Sequence, residues 1–222
     1  MREEDLQRNA DFSTNVDEPY FLTFSALNAE LLQIAPLASG KLLDIGCGNK
    51  PYQRMLENVD AYIGCDIVQS SQNKVDVMSS AMSLPFCTES FDTVFSSQVI
   101  EHVEDHQALC DETYRVLKAG GYFLLTGPMY WHLHEEPYDF FRFTKHGFRH
   151  VLEKSGFELV KMASNGGKWA VLGQVLIHTI EGENFRHRRF IRLVNKIFKW
   201  LDVRYYDDFN TLNYVVAARK RS

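Results

Sequence analysis

Apolar residues recur along this chain with two different periods, and the places where the period changes mark its elements. Phe24, Leu27, Leu31 and Ile34 fall on one helical face after Asp17, Glu18 and Pro19, a helix-start sequence, and Pro36 and Gly40 close the pattern. Residues 1–16 before it are polar and aperiodic, which reads as a loose arm or a cover that orders on binding. Residues 41–45 form a short apolar run ending in Gly-rich sequence, the pattern of a buried parallel strand. Further strands are predicted near 61–65, 93–96 and 122–126, with a helix over about 105–118 closed by Gly120 and Gly121. Phe148, Val151 and Leu152 predict a helix over 144–154 that Gly156 stops, and the last strands are expected over 158–162 and 212–218. Between those two strands lies an apolar, then basic, helical insert over about 169–201. Strands alternating with helices imply βαβ units around a parallel sheet, so the expected class is α/β.

Composition narrows the function classes. With 222 residues the chain buries a full core in one domain, and a formal charge of −5 argues against a nucleic-acid binder, which needs a basic face. Cys47, Cys65, Cys87 and Cys110 stand far apart without a C-x-x-C pair, so reduced thiols and a cytoplasmic location are expected. The longest apolar stretch, 170–180, is interrupted by Gly173, Gln174 and His178 and is too short to span a bilayer.

The sharpest chemical signal is Leu42-Leu43-Asp44-Ile45-Gly46-Cys47-Gly48-Asn49, a strand feeding straight into a tight glycine turn. Gly46 and Gly48 let the backbone turn sharply and approach a ligand, and Asp66, at the end of the next strand, suits a pair of ribose hydroxyls. A dinucleotide site would carry a third small residue where this chain has Pro51, and Asp44 would repel a pyrophosphate. The negative strand end instead suits the cationic amino-acid end of S-adenosylmethionine (SAM). A nicotinamide-dependent oxidoreductase is disfavoured on the same grounds.

Asp44-Ile45-Gly46-Cys47-Gly48 resembles the first motif of class I SAM-dependent methyltransferases. Leu84-Pro85-Phe86 with Ser90-Phe91-Asp92-Thr93-Val94, then Gln98-Val99-Ile100-Glu101-His102-Val103, then Leu117-Lys118-Ala119-Gly120-Gly121 are similar to successive motifs of the ubiquinone-biosynthesis-like branch. The resemblance implies a Rossmann-like, seven-stranded, mostly parallel sheet with an antiparallel last strand and a helical insert before it. It divides the chain into an arm and helix over 1–40 and a methyltransferase domain over 41–222, with the insert at 168–204. The implied cofactor set is Asp44, Gly46, Cys47, Gly48, Asp66, Ile67, Ser80, Ala81, Met82, Ser97 and Gln98. Asn49 stands where that motif often has a third glycine and is expected to take a left-handed backbone. Ser80 replaces an acidic residue that many relatives aim at adenine, leaving that contact to backbone groups.

Residues 130–144, Tyr-Trp-His-Leu-His-Glu-Glu-Pro-Tyr-Asp-Phe-Phe-Arg-Phe-Thr, follow the strand at 122–126 and are expected to wall the acceptor. Phe140, Phe141 and Phe143 read as packing, whereas Tyr138, Asp139 and Arg142 read as acceptor contacts, Arg142 for a phosphate or carboxylate. His102, His132 and His134 are the candidates for a general base. His132, His134, Glu135 and Asp139 match no metal-ligand spacing, so no metal is expected. The segment also resembles one in methyltransferases of bacterial cell-surface glycan biosynthesis, which points to a sugar or lipid-linked glycan acceptor.

In the insert, Phe190, Val194, Ile197, Phe198 and Leu201 share one helical face and Arg189, Arg192, Lys196 and Lys199 another. Such a basic amphipathic helix suits peripheral contact with an anionic membrane, a cap over the site, or a homodimer contact. The function expected is methyl transfer to a small-molecule or glycan acceptor at oxygen. The alternative is a non-catalytic module of the same fold acting through its basic helix.

Overall fold

The computed structural model describes residues 14–181 and 186–221. The expected arm lies largely outside the described residues. Seven strands form one sheet, β1 (Lys41–Ile45), β2 (Ala61–Asp66), β3 (Val77–Met78), β4 (Phe91–Ser97), β5 (Leu117–Pro128), β6 (Phe157–Asn165) and β7 (Asn213–Lys220). Their order is β3-β2-β1-β4-β5-β7-β6. The pairs β1–β2, β1–β4, β2–β3 and β4–β5 are parallel, and β7 runs antiparallel between β5 and β6. The α/β class and the antiparallel last strand are therefore as the sequence implied.

Strand alternation builds two cores. Leu43, Ile45 and Val94 face one side with Phe123, Phe148 and Phe157, while Leu42, Phe95 and Leu124 face the other with Leu27, Leu31 and Ile34 of α1 (Phe21–Ile34). The predicted start of α1 at Asp17–Pro19 is displaced. Tyr20 is its cap residue, without a side-chain cap bond, and the helix begins at Phe21.

The expected helix over 105–118 is α2 (His106–Val116), opened by Asp105, whose carboxylate accepts the Ala108 N–H at 3.0 Å. Gly120 and Gly121 do not stop this helix. Leu117 already pairs with Phe91, and a Cβ on Gly121 would come within 2.8 Å of the Asp92 carbonyl, so the glycines serve a tight crossing inside β5. Thr144 caps α3 (Lys145–Lys154), accepting from Gly147 N at 3.1 Å.

The insert is two helices, α4 (Lys168–Glu181) and α5 (Arg188–Arg204), packed on each other through Ile177, Ile191 and Val194. Ile197 parts from Val194, with which it was expected to share one apolar face. It is exposed, with Leu193 and Trp200, because the helix turns its 191, 194 and 195 positions toward the protein. No helix among the described residues is long and apolar enough to cross a membrane.

Candidate functional site

The parallel strands β1, β2 and β4 all end at one edge of the sheet, and the turn after β1 stands between them. Gly46 (φ 72°), Gly48 (φ 47°) and Lys50 (φ 56°) are its left-handed positions. Asn49, expected to be left-handed, is not; its side chain bonds Ser71 and Gln72 instead and ties the turn to the next loop. A Cβ on Gly46 would meet Val99 Cγ2 at 2.2 Å, whereas Gly48 faces open space. Gly46 thus permits close packing of two strand ends, and Gly48 leaves bare backbone beside the cavity.

Asp44 is buried at the end of β1 and accepts a hydrogen bond from the Tyr62 hydroxyl. Burial raises its carboxyl to about 7; the Tyr62 bond and Lys50 pull down, and nearby Asp66 pushes up. Asp66 Oδ2 accepts the Gly48 N–H at 3.0 Å and Oδ1 the Ile67 N–H at 2.7 Å. These bonds fix the carboxylate while each oxygen keeps a further lone pair for a ligand hydroxyl.

Two adjoining cavities share Gly46 and Asp66. One, about 230 Å³, is lined by Gly46, Asp66, Ile67, Ser80, Ala81, Met82, Gln98, Val99 and His102, and closed by Glu135, Tyr138 and Phe140. The smaller is bordered by Asp44, Cys47, Gly48 and Ser97. Every residue of the expected cofactor set lines one or the other. A wider groove of about 790 Å³ elsewhere mixes Glu30, Asp202 and Asp208 with Lys145, Arg149 and Lys199, and none of the motif residues borders it. Chemistry, and not volume, selects the strand-end cavities.

Supporting residues escaped the sequence reading. Thr126 Oγ1 receives the backbone N–H and the Nε2 of Gln98 at 3.1 and 3.0 Å, with Ser97 Oγ at 2.8 Å, pinning Gln98 in a left-handed conformation (φ 58°). Ser80 Oγ accepts from Met82 N at 3.2 Å and so braces its own turn. Tyr62, the partner of Asp44, carried no motif signal; only its in-register neighbourhood on β2 identifies it.

The three candidate histidines, His102 after β4 and His132 and His134 after β5, part company. His102 lines the larger cavity, with Nδ1 2.9 Å from the Tyr138 carbonyl. The His134 ring packs edge-on against His102, centroids 4.7 Å apart. His132 turns the other way, 4.2 Å from the ring of His178 on α4 and against Trp131. Burial, and then His132, lower His178 to about 4.

Arg142, expected to hold an acceptor's phosphate or carboxylate, grips Asp139 instead, at 2.6 and 2.7 Å, and donates to the carbonyls of Trp131, His132 and Phe141. Burial alone would raise Asp139, but Arg142 and the His134 N–H hold it at about 2. These two residues brace the wall from within, and Tyr138 presents its side to the cavity. The carboxylate of Glu101 and one ring nitrogen from each of His102 and His134 lie within 4.8 Å of one another. That grouping joins two segments which sequence spacing held apart.

Residues 43–125 match a family described as "Methyltransferase domain". The chain is similar to the 27-O-demethylrifamycin SV methyltransferase of Amycolatopsis mediterranei, 33% identical over 112 residues, or 43% of this chain and 41% of that protein. It is also similar to the ubiquinone biosynthesis O-methyltransferase of Bartonella bacilliformis, 29% identical over 112 residues, 43% of this chain and 44% of that protein. The match thus spans under half the length of either curated relative. Among solved structures, the cyclase SpnF has the same fold, with a TM-score of 0.60 at 20% identity, over 88% of this chain and 80% of that one. The glycine turn, the strand order and the segment that matches the methyltransferase-domain family thus coincide in the region from β1 through β5.

Proposed function

We propose that the protein transfers the methyl group of SAM to an oxygen of a small-molecule or glycan-type acceptor. The observation that carries the reading is the pair of buried-to-lining carboxylates, Asp44 and Asp66, flanking the bare backbone of Gly48. The residues fit the cofactor: Asp44 faces its cationic amino-acid end, Asp66 its ribose hydroxyls, and the turn over Ser80–Met82 its base. When bound, SAM supplies a methyl on a positively charged sulfur. Gln98 and Val99 wall the cavity beside that methyl, and Tyr138 and Phe140 exclude water from it. The acceptor hydroxyl would be held at His102 and His134, and one of these imidazoles would take its proton as the oxygen accepts the methyl and the C–S bonding pair stays on sulfur. The relatives named as a 27-O-demethylrifamycin SV methyltransferase and an O-methyltransferase support oxygen as the acceptor atom, and the resemblance of residues 130–144 to glycan-biosynthesis methyltransferases supports a sugar.

Calorimetric titration with SAM tests the cofactor half. Asp66→Ala is expected to weaken binding by about 1 to 3 kcal/mol through lost charge-assisted hydrogen bonds. Undiminished affinity in that variant removes the ribose contact, and no binding by the unaltered protein favours the non-catalytic module.

The outer face of α5 supports peripheral contact with an anionic lipid surface, where a lipid-linked acceptor would be met. Leu193, Ile197 and Trp200 are exposed there beside Arg189, Lys196 and Arg204. Cosedimentation with phosphatidylglycerol vesicles, lost in Trp200→Glu and absent with phosphatidylcholine alone, is the expected result. Equal sedimentation of the variant would refute it.

A further inference from the structure

The histidine pair at the mouth of the larger cavity is oriented in a way that a base alone does not require. His102 Nδ1 lies 2.9 Å from the Tyr138 carbonyl, which only accepts, so this nitrogen carries the proton and Nε2 is the basic one. His134 Nδ1 stands 3.2 Å from the His132 carbonyl and 3.3 Å from the Asp139 carboxylate, two acceptors, while the Arg142 donor is farther, at 3.5 Å. His134 is thereby set in the same tautomer. Each ring is held through its proton by an oxygen, which is how metal-binding imidazoles are oriented by their surroundings. Asp139 is in turn fixed by both arms of Arg142, so the brace beneath His134 is rigid.

A buried carboxylate completes the set. Glu101 is 1% exposed, with Oε1 3.9 Å from His102 Nε2, and Glu135 Oε2 approaches the same nitrogen to 3.8 Å from the cavity side. With ligand atoms of Glu101, His102 and His134 within 4.8 Å of one another, a shift of roughly an ångström brings them to the spacing set by metal–nitrogen and metal–oxygen bonds of about 2.0 to 2.2 Å. The three come from two supports, Glu101 and His102 from the short helical turn Ile100–His102 after β4 and His134 from the loop after β5, and the cavity borders His102 and Glu135.

Resting on the methyl-transfer reading, we propose that Glu101, His102 and His134 bind a divalent first-row transition cation, zinc by its ligand set, at the mouth of the cofactor cavity. Two imidazoles and one carboxylate leave a coordination position open to the cavity, which is the arrangement of a catalytic and not a structural site. An acceptor hydroxyl occupying that position is acidified by the cation. With both imidazoles engaged by the cation, neither serves as the base: the O–H bond breaks with the proton passing to Glu135, the oxygen forms its bond to the methyl carbon, and the C–S bond breaks with its electron pair remaining on sulfur. The site therefore selects acceptors whose reacting oxygen can reach a cation, hydroxyls of sugars or phenols above amines that are protonated.

Untagged protein stripped with EDTA and titrated with Co²⁺ tests the site through the visible absorption of the bound ion, and Zn²⁺ displaces it. One saturable equivalent is expected, weakened about tenfold or more in Glu101→Gln and in His134→Gln and unchanged in His150→Gln, an exposed histidine on α3. Circular dichroism identifies any variant that fails to fold, and the near-isosteric Glu101→Gln then carries the comparison. Absence of a saturable equivalent, or binding indifferent to both substitutions, overturns the proposal. SAM titrated into the same samples separates the two readings: SAM bound without Co²⁺ removes only the cation, and Co²⁺ bound without SAM removes only the methyl-transfer reading.

Discussion

The cavity at the ends of β1, β2 and β4 and the wall built from residues 129–144 meet at His102, yet they are made in opposite ways. In the first, a strand, a glycine turn and the next strand place Asp44, Gly46, Gly48 and Asp66 by local geometry, with partners supplied by the adjacent, in-register strand. In the second, no regular element spans Met129 to Phe143, and the loop is held by distant groups: Glu101 carbonyl to the N–H of Phe140 and Phe141, Arg142 to Asp139, and His178 of α4 to Trp131 and His132. A ligand site on strand ends is fixed with the sheet, whereas an acceptor wall on a loop varies while the sheet stays. The fold shared with a cyclase at 20% identity is consistent with that division.

The strongest way to break the comparison is to disturb the cavity's own backbone. Gly46→Ala places a Cβ 2.2 Å from Val99 Cγ2 at a φ of 72°. Left-handed strain and overpacking together are expected to cost about 3 kcal/mol of stability, with loss of SAM affinity, read by denaturant titration and calorimetry. A variant as stable as the parent would mean that the turn is not the rigid half.

The same contrast explains what the sequence revealed. Asp44, the glycines and Asp66 are legible because their chemistry is written within one short stretch, β1, its glycine turn and β2, and the strand periods that place them are local. His102 and His134 were both visible as candidates, but their meeting depends on the loop folding back beneath the short turn at Ile100–His102, which no spacing encodes. The pairing of Arg142 with Asp139 was hidden for a related reason: an arginine three residues from an aspartate can pair with it or with a ligand, and the spacing alone does not say which. Tyr62 and Thr126 looked like ordinary strand residues, since their roles lie across the sheet from the groups they hold. The two-residue β3 was too short for any period to appear.

Loosening the wall sharpens the comparison from its other side. Arg142→Ala removes two charge-assisted bonds and leaves the buried Asp139 carboxylate without its guanidinium, expected to cost about 2 kcal/mol given that the arginine is partly exposed. Asp139, now held at about 2, would titrate higher, so the stability lost on acidification below about 4 would diminish in the variant. If cavity and wall are separable, SAM affinity stays within about twofold of the parent while methyl transfer falls. A parallel fall in SAM affinity would show the two halves to be one unit.

The smallest expected effect bears on the cavity's electrostatics. Asp44 sits near 7 because burial disfavours its charge, so in the ligand-free protein ionising it removes stability as pH rises from about 4 to 7, and the loss is complete above that. A cationic ligand beside it reverses the preference: below 7 binding must expel the proton, and above 7 the carboxylate is already charged. Apparent SAM affinity should therefore rise about tenfold, or about 1.4 kcal/mol, between pH 6 and pH 8 and level off beyond, with proton release measurable in buffers of different ionisation enthalpy. Asp44→Asn should flatten that dependence while leaving the contribution of Asp66 in place. A flat profile in the unaltered protein would mean that Asp44 stays neutral when the cavity fills, and that the positive end of the ligand is met by backbone carbonyls of the turn instead.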